Sequence, residues 1–112
     1  MNIAEKKTLA AAYHALFQDL MCKPIRLQWD KHDYPMVLQD IVIAVQKDIA
    51  NLPEKRMVET GKMHTPVVLQ FRFEDNYTLD IVAADITDVK HEMAGITLTV
   101  GAYSYGFLYS EN

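Results

Sequence analysis

The sequence has little that would announce an enzyme or a secreted scaffold. It contains one cysteine, Cys22, so a disulfide framework within the chain is excluded and a reducing compartment is the simpler setting. Glycine and proline number four each, too few for a low-complexity or collagen-like chain, and the glycines form neither GxGxxG nor GxxxxGK. A nucleotide-hydrolysing enzyme is therefore disfavoured. No apolar run approaches the ~20 residues that span a bilayer, so no membrane association is expected. The bases are scattered as Lys6–Lys7, Lys23 and Arg26, Lys55–Arg56 and single residues, with no stripe that could track phosphates. Nucleic acid is an improbable ligand on that ground.

The N-terminal stretch KKTLAAAYHALFQDLMC combines lysines, a small apolar run and a cysteine. His14 interrupts its centre, and Gln18 and Asp19 precede the cysteine, so neither a secretory nor a lipoprotein leader is expected. The expected location is the cytoplasm.

What is present is apolar material. Half of the 112 residues are hydrophobic and the net charge is −4, from 15 acids and 11 bases. That composition supports one domain over residues 1–112 with a sizeable core. A modest acidic excess favours solubility and is compatible with a basic partner.

Residues 2–22 read as a helix, because Leu9, Tyr13, Leu16, Phe17 and Leu20 recur at three- and four-residue spacing. PIRLQWD alternates Ile25, Leu27 and Trp29 with polar residues, the pattern of a half-buried strand. Residues 35–51 carry Leu38, Ile41, Val42, Val45 and Ile49 at helical spacing, with Asp33 as a possible cap and Pro35 in the first turn. Their β-branched content leaves a strand as the alternative. Residues 52–65 read as a loop or short helical turn.

The rest is a meander of three strands, VVLQFRF, LDIVAADITDV and ITLTVGAYSYGFLY. Parity favours an odd loop after Phe73, pairing Phe73 with Leu79, Phe71 with Ile81 and Arg72 with Asp80. Asp85 would break the apolar face of its strand unless the strand ends or bulges near Ala83–Ala84, which would bring Ile86 inward. The expected fold is α+β: two helices packed on one face of a mainly antiparallel sheet of three to four strands.

Chemistry-bearing residues are sparse. Asp30, His32 and Asp33 make the densest metal-like group, but the sequence has no HxH, HExxH or CxxC spacing. No metal or other cofactor is expected. A solvated turn is the plainer reading of that group. Cys22 ends the first helix, where the partial negative charge disfavours a thiolate.

The aromatic row Tyr103, Tyr105, Phe107 and Tyr109 stands out more. If the strand runs unbroken through Gly101, these residues join Thr97, Thr99, Arg72 and Asp80 on the face away from the core. They would then form a contact surface of Tyr103, Tyr105, Phe107, Tyr109 and Arg72. If Gly101 is a bulge, the row turns inward. The first arrangement is preferred, because small residues at 102, 104 and 106 suit a core face. It implies a non-catalytic interaction protein of inhibitor, immunity or accessory regulatory type, binding a protein partner or forming a homodimer. The alternative is a small enzyme or small-molecule binder with a pocket between helices and sheet, using His14, Cys22, Asp85 and His91. The reading leans away from an enzyme, since no catalytic motif is present.

Overall fold

A computed structural model describes residues 2–45 and 67–110. Among them are one α-helix and seven strands rather than the two helices and three to four strands expected. The helix, α1 (Ile3–Leu16), starts at Asn2, whose side-chain oxygen accepts the Glu5 backbone N–H at 2.8 Å. It stops earlier than residue 22. Its end tightens into a 3₁₀ turn (Gln18–Leu20), and Cys22 adopts φ 59°, turning the chain back toward the sheet. That geometry tucks Phe17 and Leu20 fully inside.

The strands are β1 (Pro24–Trp29), β2 (His32–Val45), β3 (Val67–Phe73), β4 (Thr78–Val82), β5 (Ile86–Glu92), β6 (Gly95–Val100) and β7 (Tyr103–Tyr109). All pairings are antiparallel, in the order β4-β3-β2-β1-β7-β6-β5.

The expected second helix is β2 as far as Val45, and the rest of that segment lies outside the described residues, as does the expected loop 52–65. Tertiary pairing overrode the helical spacing. Val37, Ile41, Val42, Ile43 and Val45 are β-branched residues suited to a pleated, half-buried surface. Asp33 caps no helix; it sits in the strand opposite Gln28. Pro35 is tolerated because β3 reaches only Leu38, so β2 has β1 alone beside it at that point.

The sheet is strongly curled. Its edge strands, β4 and β5, are consecutive in sequence and joined only by a 3₁₀ turn (Ala83–Asp85). Four Cα steps reach at most about 15 Å, whereas seven flat strands would separate the edges by about 29 Å. The edges must therefore converge at this end. α1 lies in the concavity against β2, β3 and the 83–85 turn. The strand break near Ala83 is the one the sequence allowed for, and Ile86 is buried beyond it.

Phe17, Phe71 and Phe107 meet at the centre. The Phe71 and Phe107 rings stack at 4.8 Å, and Phe17 meets them edge-on at 5.0 and 4.9 Å. β3 and β7 lie three strand spacings apart in the sheet, about 14 Å if it were flat. Curvature alone brings these two rings together.

The loop after Phe73 is odd, as parity required. It is Glu74–Asn76, three residues long, with Asp75 and Asn76 at positive φ. The register differs by two residues from expectation, which keeps the same faces together: Phe71 faces Leu79, Leu69 faces Ile81, Arg72 faces Thr78 and Asp80 faces Gln70. The third strand is two strands. Gly101 (φ 61°) and Ala102 form a two-residue turn, so Val100 faces Tyr103 and Ile96 faces Phe107.

Candidate functional site

That turn reverses the orientation expected for the aromatic row. A cross-strand pair shares one face, so Tyr105 lies beside Leu98 and Phe107 beside Ile96, on the concave core side. Phe107 is fully buried and Tyr105 half-buried against the core. Tyr103 and Tyr109, at the two ends of β7, remain 66% and 37% exposed. Arg72 is elsewhere, on the convex face of β3, where its Nε donates to Gln70 Oε1 at 2.8 Å. The five residues do not form one surface. Phe107 is sealed in, Arg72 faces away, and the small residues Ser104 and Gly106 occupy the convex side.

The same register creates a different aromatic surface. Trp29 faces Tyr105 across β1 and β7, and faces His32 across β1 and β2. Tyr34 follows two residues along the same side of β2. The three rings cluster, each against the other two: Trp29 to His32 at 5.4 Å, Trp29 to Tyr34 at 5.2 Å, and His32 stacked on Tyr34 at 5.8 Å. The Tyr34 hydroxyl and His32 Nδ1 are 3.3 Å apart. His32 and Tyr34 are exposed, Trp29 half-buried, and Tyr103 continues the face beyond Tyr105. This is the concave rim at one end of the curled sheet.

The local sequence explains the rim. Asp30 takes φ 52° and, with Lys31, makes the two-residue turn that sets His32 directly opposite Trp29. Asp33 points to the convex side, where Arg26 Nε donates to it at 2.9 Å and Gln28 Nε2 at 3.1 Å. The Arg26 hydrogen bond, helped by Gln28 and the Arg26 charge and opposed by partial loss of water, holds the Asp33 carboxyl below its usual value. Asp33 and His32 thus face opposite ways. Among the described residues no group of three or more His, Cys, Asp or Glu is placed to hold a metal ion.

The residues considered for a pocket between helix and sheet have other settings. His14 Nε2 donates to the Ile41 carbonyl at 3.0 Å, and the Asp40 carboxylate accepts the Ile41 N–H at 2.8 Å. The Ile41 backbone is thereby satisfied where β1 no longer flanks β2. Cys22 is an exposed free thiol, and its backbone N–H donates to the Leu38 carbonyl at 2.7 Å. Asp85 is half-buried in the turn beneath α1, and His91 is exposed on edge strand β5. Among the described residues no buried side chain is polar or charged.

The chain matches no known family model, no curated protein and no solved structure.

The rim could have been found from sequence only by reading WDKHDY as a hairpin. Trp29, His32 and Tyr34 then fall on one face. With residues 35–51 read as a helix, Asp33 became a cap and the hairpin was lost.

Proposed function

We propose that the protein is a small non-catalytic interaction module of inhibitor, immunity or accessory regulatory type. It engages a protein partner through the aromatic rim of its concave face. One observation carries this reading: the rings of Trp29, His32 and Tyr34 cluster in mutual contact at the surface, with Tyr105 and Tyr103 following on the same face of β7. Aromatic side chains with polar tips bury large areas at interfaces while satisfying their hydroxyl or ring N–H groups. The described polar groups near the rim bond one another rather than converge on a reacting atom. Cytoplasmic residence fits the single free thiol. The small size and acidic balance support the inhibitor-like class.

The test compares the wild type with Tyr34→Ser/Tyr103→Ser, two exposed positions. Tagged protein is expected to retain one stoichiometric partner from its host, and the double variant to lose it with the thermal midpoint unchanged. Light scattering on the purified chain identifies the self-association version, a dimer that the same variant dissociates. A variant that keeps its partner and its fold overturns the reading.

A further inference from the structure

A second feature, at the opposite end of β1 from the rim, is a surface hollow of about 240 Å³. It exists because β3 ends at Phe73, opposite Leu38, while β2 runs on to His32. The Glu74–Asn76 turn closes one side of the step this leaves, and Ser110 borders it. Pro24, Pro35 and Val37 come from the convex side of β1 and β2 and supply apolar walls; the prolines offer no N–H donors. Tyr77, 60% exposed, adds an aromatic ring. The charged residues among its lining are Glu74 and Asp75, both acidic. Arg26 lies beside Pro35 but is bonded to Asp33, and it does not line the hollow.

We infer that this hollow receives the cationic side chain of a basic protein segment, with arginine as the best fit. Its size is below the roughly 300–1,000 Å³ of pockets that enclose whole small molecules, and suits one side chain. Apolar walls accept the aliphatic stem, the tyrosine face accepts a guanidinium, and the two carboxylates supply opposite charge. The chain's net charge of −4 favours the same class of partner over long range. The inference is independent of the rim.

The experiment uses the full chain, labelled with ¹⁵N, and two capped tripeptides, Gly-Arg-Gly and its neutral counterpart Gly-citrulline-Gly. The arginine peptide is expected to produce saturable amide shifts at Val37, Asp75, Tyr77 and Ser110. The citrulline peptide should leave them in place. Glu74→Gln/Asp75→Asn should weaken binding about tenfold, the scale of one charge-assisted contact. Both positions are exposed, and Asn tolerates the left-handed backbone at residue 75, so the fold should persist. Amides away from the hollow check that it does. Equal response to citrulline, unchanged affinity in the double variant, or no saturable shift at these amides overturns the inference. Tyr34→Ser/Tyr103→Ser should leave these shifts intact, so loss of the rim reading and loss of this one are separable.

Discussion

At the residue scale, one strand carries two kinds of aromatic. Phe107 is in ring contact with Phe17 and Phe71 and has no exposed surface. Phe107→Ala is expected to cost about 3–5 kcal/mol in a denaturant titration, from lost burial and the cavity left behind. Tyr103→Ser, at a position 66% exposed, should stay within about 0.5 kcal/mol of wild type. Equal losses would mean that Tyr103 is not the surface residue described. Gly95 is constrained differently. Its φ is 144°, and a Cβ there would run into the Phe107 carbonyl oxygen and Leu108 Cα. Gly95→Ala should therefore destabilise by about 1–3 kcal/mol of backbone strain or more, read from the same titration. Asp33 gives a pH dependence of known sign. Its folded value lies below the ordinary 3.8, so its contribution is complete above that value and is lost as pH falls through the lowered one. The effect on stability is small at this exposed pair. Carbon-detected titration should show the Asp33 midpoint return upward in Arg26→Gln; an unmoved midpoint would remove Arg26 as the cause.

At the element scale, β2 explains both what was legible in the sequence and what was not. Strand β3 and its inward set Val67, Leu69, Phe71 and Phe73 could be read from strict alternation, and all four are buried. The odd loop followed from matching apolar faces, but its length did not, because three and five residues satisfy the same parity. The end of β4 near Ala83 was visible as a conflict between Asp85 and the apolar face. β2 was hidden because Leu38, Ile41, Val42 and Val45 also fit helical spacing. A register shift lies between Leu38 and Asp40, just where β2 passes from pairing with β1 to pairing with β3. It breaks the period-two signal in the middle of the segment. Gly101 was legible as a special position but not as a turn, since a bulge, a turn and an unbroken strand share one sequence pattern there. The change of partner in β2 also leaves Ile41 dependent on His14. His14→Ala should cost about 1–3 kcal/mol, the penalty for a part-buried carbonyl left without its donor. Faster amide exchange is expected along the C-terminal half of β2 and not in β6. Uniform acceleration would mean that His14 serves the core at large rather than this edge.

At the scale of the whole molecule, the curl of the sheet makes the fold cooperative. A flat seven-stranded meander could lose an edge hairpin without disturbing the other side. Here the two edges are tied through the 83–85 turn, and Phe17 from the helix end touches rings on β3 and β7. Removing Phe17 therefore weakens both halves of the sheet at once. Trp29 is the only tryptophan and stands at the rim, away from the helix packing on β2 and β3. Its fluorescence reports the rim, while far-ultraviolet dichroism reports the whole backbone. In Phe17→Ala the two signals are expected to move together to a lower midpoint, by about 3–5 kcal/mol in stability. A Trp29 transition that stays in place while the dichroism shifts would show two separately folding halves. The rim would then owe its order to the β1–β2 hairpin alone. Coincident transitions instead mean that the rim rings are held in place by a core built largely from the far side of the sheet, so a core substitution would loosen the rim without touching the surface.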